Sequence, residues 1–156
     1  MKNEYPKLGG HFEVLHYTQL LQELIQKGEI KLSEFKSKVT YHDPCFLGRY
    51  NGIYEPPREV LRSVPGVELV EMERNRENSF CCGGGSGNIY MDFLGGDDAA
   101  PNRIRIKEAY DTGAEVLAVA CPGCMMMLED ALKEEELEDK MVVMDLSELV
   151  RDACLR

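Results

Sequence analysis

The feature that most constrains this chain is a pair of adjacent cysteines followed by a run of glycines. Cys81 and Cys82 cannot readily bond to each other, because the small ring that such a bond closes is strained against normal disulfide geometry. Both thiols can instead point at a third group. The glycines that follow, Gly83, Gly84 and Gly85, carry no Cβ, so the backbone there can pass close to a bulky object. The pattern therefore predicts a binding site in which these glycines make room for a cofactor.

Three more cysteines extend this predicted site. Cys45 precedes the pair, and Cys121 and Cys124 follow it in a C-x-x-C motif. In a reducing compartment such patterns more often bind metals or take part in catalysis than form disulfides. A sixth cysteine, Cys154, lies in the last predicted helix and is expected to be a packing residue. The five thiols assigned to the site are Cys45, Cys81, Cys82, Cys121 and Cys124.

The composition of the 156-residue chain narrows the classes of protein to which it can belong. Its formal net charge is −10, and nucleic-acid binding needs a basic face, so we expect no nucleic-acid partner. No apolar run approaches the roughly 20 residues of a membrane-spanning helix, and no apolar stretch follows Lys2 as it would in a signal peptide. We therefore expect a cytoplasmic protein without a membrane span of its own.

Hydrophobic periodicity predicts strands and helices in alternation. This alternation is typical of an α/β fold, and we expect a single domain over 1–156 with a Rossmann-like, mostly parallel sheet, helices on both faces and an irregular lead-in at 1–12. The predicted strands are 38–42, 67–72, 114–120 and 141–145. The predicted helices run from Val14 to Gly28, from Pro57 to Pro65, over 101–112 and over 124–137, followed by a last helix capped by Ser147. A turn is predicted at 95–98.

The five cysteines follow three of the predicted strands. Cys45 comes after the first strand, the adjacent pair after the second strand and its polar extension, and the C-x-x-C motif directly after the third. The carboxyl ends of parallel strands meet at one edge of a sheet, where α/β proteins bind their ligands. We therefore expect all five thiols at that edge. Cys121 and Cys124 also open a helix, whose N-terminus lowers the pKa of a thiol and favours the thiolate.

Three kinds of chemistry remain open for these thiols on residue types alone. Zinc takes four ligands, but its usual pattern has two C-x-x-C knuckles and this chain has one. An iron–sulfur cluster also takes thiolates and needs space and amide donors around its sulfides, which a glycine run can supply. A thioredoxin-like role for the C-x-x-C motif alone would leave three other cysteines without a purpose.

A family resemblance rests on these residues and their neighbours. The segments that carry it are Tyr-His-Asp-Pro-Cys-Phe-Leu-Gly-Arg at 41–49, Pro-Arg-Glu-Val-Leu at 57–61, Glu-Asn-Ser-Phe-Cys-Cys-Gly at 77–83 and Cys-Pro-Gly-Cys at 121–124. Together they resemble the cysteine-rich CCG domain of heterodisulfide reductases and related iron–sulfur oxidoreductases, in particular the D-type subunit. Relatives in sulfite-reduction membrane complexes and in electron-transfer-flavoprotein:quinone oxidoreductases share the pattern. The resemblance covers roughly residues 14–154.

The resemblance implies a [4Fe-4S] cluster, cubane or non-cubane, at the five cysteines. In catalytic members all five ligate a non-cubane cluster that reduces a disulfide by binding sulfur at iron. Longer members carry two such motifs and often a ferredoxin module, whereas this chain has one motif. It therefore resembles a C-terminal domain or a small oxidoreductase subunit, which takes electrons from a partner. The implied partners are a ferredoxin-type iron–sulfur subunit, a flavoprotein or a membrane quinone or haem subunit, and the implied substrate is a small disulfide or thiol.

Two other roles stay open beside disulfide reduction. With four ligands the cluster would be an electron relay between a flavin partner and a quinone, and membrane association would come only through that partner. A non-catalytic module with a structural zinc in four of the cysteines is the alternative from another class.

Three further residues are candidates for supporting roles: His42 at the end of the first predicted strand, Arg49 after it and Arg58 in the next predicted helix. His42 is a candidate catalytic residue as a proton donor to a departing thiolate, or it is a hydrogen-bond partner of the site, or a strand-end residue without function. Arg49 and Arg58 can offset the negative charge of a thiolate-bound cluster, bind an anionic substrate, or lie solvated on the surface.

Overall fold

The computed structural model describes residues 2–91 and 97–154, without the side chain of Ser86. Its four strands form one sheet in the order β2-β1-β3-β4, and every neighbouring pair is parallel. The expectation of an α/β fold with a mostly parallel sheet is therefore confirmed, and the sheet is parallel throughout. The strands are β1 Ser37–Tyr41, β2 Val67–Val70, β3 Val116–Val119 and β4 Val142–Asp145.

Six α-helices fall within the described residues, and prolines fix where three of them begin. Each of these three has a proline at its first or second position, where the missing N–H would have had no helical partner and the restricted φ already suits a helix. The helices are α1 Tyr17–Gln26, α2 Glu55–Ser63, α3 Asn88–Met91, α4 Pro101–Asp111, α5 Pro122–Glu134 and α6 Leu146–Cys154. The lead-in holds a short 3-10 helix, Tyr5–Leu8.

Helices cover both faces of the sheet, as expected, and each face has its own core. Along β3, Val116 and Ala118 belong to one core, which α1, α2 and α6 complete. Leu117 and Val119 point the other way, into a core shared with α4 and α5. All four residues are at most 4% exposed, because a central parallel strand is buried on both faces.

Two local expectations need correction. Ser147 lies inside α6, and the cap is Asp145, whose Oδ1 accepts a hydrogen bond from the backbone N–H of Ser147 at 2.9 Å. The strand therefore passes straight into the helix with no intervening turn. Cys154 is exposed at the end of α6, so the expectation that it packs inside the protein was wrong.

The predicted turn at 95–98 begins outside the described residues. Where the chain is described again, the backbone N–H of Ala100 donates to the carbonyl of Asp97 at 2.9 Å. No helix within 2–91 or 97–154 is long and apolar enough to cross a membrane.

Candidate metal centre

The five site cysteines lie on three connections at the carboxyl edge of the sheet. Cys45 follows β1, the adjacent pair ends the connection that leaves β2, and Cys121 is the N-cap of α5 with Cys124 in its first turn. Cys82 is hydrogen-bonded to both Cys81 and Cys124. Cys124 is also hydrogen-bonded to Cys121, and none of these cysteines forms a disulfide. Cys45 lines one small pocket together with Cys81 and Cys82. The structure therefore brings together all five of the thiols that the sequence assigns to the site.

The exposure of these thiols changes across the site. Cys82 and Cys124 are 7% and 3% exposed and form a buried floor. Cys45 and Cys121 are half-buried, and Cys81 is exposed. A group held by all five would therefore rest on protein at one end and face solvent at the other.

Backbone N–H groups point at the sulfur atoms from two directions. The N–H of Gly83 donates to Sγ of Cys81 at 3.3 Å, and that of Gly84 donates to Cys82. On the other side, the N–H groups of Gly123 and Cys124 donate to Cys121 at the N-terminus of α5. These donors stabilise negative charge on sulfur, and hydrogen bonds of this kind also tune iron–sulfur clusters.

The pKa values of four thiols are displaced because the thiols hydrogen-bond to one another. The pKa of Cys82 is lowered because Cys124 and Cys81 donate to it, with smaller help from His42. The pKa of Cys121 is lowered to about 6, first by the Cys124 thiol, whose single hydrogen is shared between Cys121 and Cys82, and then by the N–H groups of α5. The two donors hold their protons, so the pKa of Cys81 and of Cys124 is raised. A metal that binds all four of these cysteines as thiolates must release the protons that their thiols hold.

The three glycines after the cysteine pair do not have equal surroundings. Gly83 has φ +83°, which disfavours side chains, and a Cβ there would lie 3.4 Å from the backbone N of Asn102. A Cβ on Gly84 would lie 3.1 Å from Cγ of Met127 and 3.7 Å from Sγ of Cys82. A Cβ on Gly85 would meet no atom within 4 Å, so packing within the protein does not require glycine there. The role of all three toward a cofactor stays a prediction.

Arg58 joins the ends of two strands beneath the site. Its guanidinium is fully buried and binds both carboxylate oxygens of Asp43, at 2.6 and 2.8 Å, and both of Glu71, at 2.7 and 2.9 Å. Burial lowers the pKa of Arg58, but the two carboxylates outweigh it and raise the pKa above its ordinary value. Neither a solvated position nor capture of an anionic substrate fits these contacts, because the donors are committed within the protein.

Two further contacts hold the cysteine-bearing connections together. Arg49 Nη2 donates to the carbonyl of Ser79 at 2.7 Å, which ties the loop of Cys45 to the segment that leads into Cys81. Oδ2 of Asp43 accepts from the backbone N–H of Arg76 at 2.8 Å. The approach of the β2 connection to the β1 loop therefore depends on arginine and aspartate contacts rather than on strand pairing.

His42 is buried against Cys82, in the small pocket that Cys45 and Cys81 also line. It is 1% exposed, its backbone N–H extends the β1–β3 ladder to Ala118 O at 3.0 Å, and its ring is hydrogen-bonded to Cys82. Burial is the largest influence on the ring and lowers its pKa, so the neutral imidazole is favoured. Nε of Arg105 donates to His42 Nδ1 at 3.1 Å.

Sequence reasoning missed Arg105, which is buried on α4. A signal was available in the helical spacing, because Arg105 shares a face with Ile106 and Ala109, both of which are buried. A charged residue on that face is a candidate for a buried polar contact.

A cavity with a mostly apolar lining also reaches the site. It has a volume of about 380 Å³, and both Cys45 and Cys121 line it. Its wall is mostly apolar and includes Leu15 from the lead-in to α1 and Phe46 from the β1 loop, which are 44% and 73% exposed. An apolar group can therefore approach Cys45 and Cys121 through a cavity that Cys81 does not line.

Comparison with known proteins gives matches over nearly the whole chain. The probable iron-sulfur-binding oxidoreductase FadF of Bacillus subtilis is 42% identical over 155 residues, which cover 99% of this chain and 22% of the relative. The EtfAB:quinone oxidoreductase of Syntrophomonas wolfei is 38% identical over 159 residues, 96% of this chain and 22% of the relative. The D-type subunit of the dihydromethanophenazine:CoB--CoM heterodisulfide reductase of Methanosarcina barkeri is 43% identical over 157 residues, 97% of this chain and 37% of the relative.

The chain thus spans between about a fifth and somewhat over a third of the length of these relatives. The family described as the cysteine-rich CCG domain matches residues 39–129, a segment that begins in β1 and ends in α5. That segment includes all five thiols of the site, which agrees with the resemblance noted in the sequence. This chain belongs to the cysteine-rich CCG domain family.

Proposed function

We propose that this chain is the iron–sulfur module of a multi-subunit oxidoreductase and holds one [4Fe-4S] cluster through five thiolates. The observation that carries the proposal is that five cysteines from three connections meet in one place with backbone N–H groups aimed at their sulfurs. The relatives named as iron-sulfur-binding or as redox enzymes support the same class of function. The proposed ligands are Cys45, Cys81, Cys82, Cys121 and Cys124.

Two features favour a cluster over a single zinc ion. A structural zinc site is closed with four ligands, which would leave one of the five gathered cysteines unused. The glycine and α5 N–H groups donate to three different sulfur atoms, a pattern that suits a large anionic cluster. Zinc in four cysteines is therefore the outcome that would replace this proposal.

We propose disulfide reduction as the reaction, because the site opens both to solvent and to an apolar cavity. Reduction of a disulfide consumes two electrons and two protons and yields two thiols. The bound cluster would supply electrons, which arrive one at a time from a partner subunit. Cys81 faces solvent and Cys45 with Cys121 lines the cavity, so a sulfur substrate has two approaches. His42 is buried against Cys82, a position that suits a hydrogen-bond partner of the site better than a donor to the substrate.

The proposed partners follow from the same reasoning. An electron donor is needed, and a ferredoxin-type iron–sulfur subunit, a flavoprotein or a membrane quinone or haem subunit would provide it. Because the matched relatives are several times longer than this chain, the donor can equally be another part of the same polypeptide. A membrane subunit among these partners would bring the chain to the membrane.

The proposal is tested by anaerobic purification with iron, sulfide and zinc measured on the same sample. About four irons and four sulfides per chain, together with electron paramagnetic resonance (EPR) signals after oxidation or reduction, support it. One zinc without sulfide would overturn it. Serine variants of each of the five site cysteines should lose the native spectrum, whereas Cys154→Ser is the matched control, because Cys154 is exposed and outside the site.

Substrate access can be separated from simple electron transfer on the same material. If the cluster accepts substrate sulfur, a short aliphatic thiol should change the EPR spectrum of the oxidised protein. An unchanged spectrum with intact iron content would make the chain an electron relay. Cys81→Ser and Cys82→Ser distinguish four ligands from five, since either variant retaining the native spectrum would contradict ligation by all five cysteines.

A further inference from the structure

The ring of His42 is held in one orientation and one protonation form by a buried arginine. Nε of Arg105 carries a hydrogen and can only donate, so Nδ1 of His42, 3.1 Å away, must accept with its lone pair. A neutral imidazole then carries its hydrogen on Nε2. Because Nδ1 is occupied by Arg105, Nε2 is the nitrogen left to donate to Cys82.

This arrangement removes His42 from the set of metal ligands. Ligand atoms of His42, Cys82 and Cys124 all lie within 4.8 Å of one another, which on distance alone would allow a mixed histidine–cysteine site. A protonated Nε2 has no lone pair for a metal, and the lone pair of Nδ1 is already taken by Arg105. The ring can therefore act on the site only as a hydrogen-bond donor to sulfur.

Two carboxylates act on Arg105, and each of them also pairs with another arginine, Glu108 with Arg74 and Asp43 with Arg58. Arg105 donates to Glu108 at 2.9 Å, but Arg74 donates to the same carboxylate, so two cations share one anion. Arg74 also lies over the ring of Phe80, 3.7 Å from the ring centroid. Phe80 directly precedes the cysteine pair in the sequence. Nη2 of Arg105 is buried without a hydrogen-bond acceptor among the described residues. Arg105 therefore places a buried positive charge next to His42, on the side of the site where a thiolate-bound cluster would bring negative charge.

We propose that Arg105 is a positioning residue that fixes His42 as an Nε2–H donor to Cys82, and that the pair raises the reduction potential of the bound cluster. The proposal rests on the iron–sulfur function proposed above. A hydrogen bond and a nearby positive charge both favour the more negative, reduced state of a cluster. Arg105 and His42 thus extend the site beyond its cysteines to α4.

The test is a redox titration of the anaerobic, iron-loaded protein monitored by EPR. Arg105→Met removes the charge and frees the ring, and His42→Leu removes the donor. Each should shift the oxidised-to-reduced equilibrium about tenfold toward the oxidised state, or about 59 mV downward for a one-electron couple, because a bond to a charged group is lost. His42→Gln restores an N–H donor and should recover part of the shift.

A matched control comes from the same helix. Arg103 also lies on α4 but pairs with Asp98 and Glu135, away from His42. Arg103→Gln removes one positive charge without touching the ring, so its potential should stay near that of the parent protein. If Arg105→Met and His42→Leu leave the potential where Arg103→Gln leaves it, the proposal is overturned.

A second measurement does not need the cluster. The chain has three histidines, so the ring nitrogens of His42 can be assigned by nuclear magnetic resonance of the iron-free, reduced chain with His42→Gln as reference. We expect hydrogen on Nε2 and a bare Nδ1, and loss of that single form in Arg105→Met. A hydrogen on Nδ1 in the parent protein contradicts the proposed role of Arg105. Absence of iron in the parent protein would overturn the proposed function. The tautomer of His42 would still decide whether Arg105 positions its ring.

Discussion

Replacing Arg58 should cost this protein a large part of its stability, because the substitution leaves a buried charge without its partner. Arg58 is fully buried, and the side chain of Asp43 beneath it is 2% exposed. In Arg58→Met the aspartate keeps the N–H of Arg76 but loses two charge-assisted hydrogen bonds. Breaking a buried ion pair from one side costs about 3–5 kcal/mol. Glu71 is 28% exposed and can turn to water, so its loss adds little.

This loss is large against the roughly 5–15 kcal/mol that separates folded from unfolded states of a typical domain. For a chain of this length it corresponds to a fall in melting temperature of roughly 6–20 °C. Urea unfolding monitored by circular dichroism measures the difference in unfolding free energy between the variant and the parent protein. An equal dependence of that free energy on urea concentration in both proteins shows that the denatured state is unchanged. Iron content should fall as well, because Asp43 holds the segment that leads into the cysteine pair.

Two companion variants make the interpretation specific. Arg62 lies on the same helix and pairs with Glu55 at the surface, both about half exposed, so Arg62→Met should cost at most about 1 kcal/mol. The double variant Arg58→Met with Asp43→Asn should recover part of the loss, because the unpaired buried charge is gone. If Arg58→Met costs no more than Arg62→Met, the buried pair does not hold the two strand ends together and the reasoning fails.

Two smaller predictions concern the thiols and the glycines. In the iron-free, reduced chain, alkylation of Cys121 by iodoacetamide followed by mass spectrometry should rise with pH through a midpoint near 6, because its folded-state pKa is about 6. The lowered pKa of Cys121 also stabilises the folded state. This stabilisation is complete above pH 9.0, the pKa of the unfolded thiol, and is lost as the pH falls through about 6. An alkylation midpoint near pH 9 would contradict both the lowered pKa and this stabilisation. Gly83→Ala should destabilise the chain by roughly 1–2 kcal/mol in urea unfolding, because φ is +83° there. Gly85→Ala, in open space, should be near neutral, and equal losses in the two variants would show that backbone strain is not the cause.

Local sequence signals predicted the elements that carry the cysteines. Proline and glycine boundaries and apolar runs depend on neighbouring residues only, so the strand before Cys45 and the strand and helix around Cys121 could be placed from sequence. The continuous apolar run of Val116–Val119 also predicted a strand buried on both faces. Their meeting at one sheet edge then follows from the parallel arrangement alone.

The buried arginines could not be predicted in the same way. Charged side chains are normally exposed, and only their tertiary partners reveal an exception. Asp43 and Glu71 reach Arg58 from two different strand ends, and His42 lies 63 residues before Arg105 in the sequence. These contacts depend on the strand order β2-β1-β3-β4, which no local pattern specifies.

The two buried arginines, Arg58 and Arg105, have different electrostatic roles near the site. The charge of Arg58 is neutralised within the protein by the carboxylates of Asp43 and Glu71. Arg58 therefore stabilises the fold and contributes little electric field at the thiols. Arg105 shares the carboxylate of Glu108 with Arg74 and donates to the ring of His42, so its charge acts next to whatever binds at Cys82. Loss of Arg58 should therefore appear mainly as lower stability and cluster content. Loss of Arg105 should appear mainly in the potential of a cluster that still assembles, and the opposite pattern would reverse the two roles.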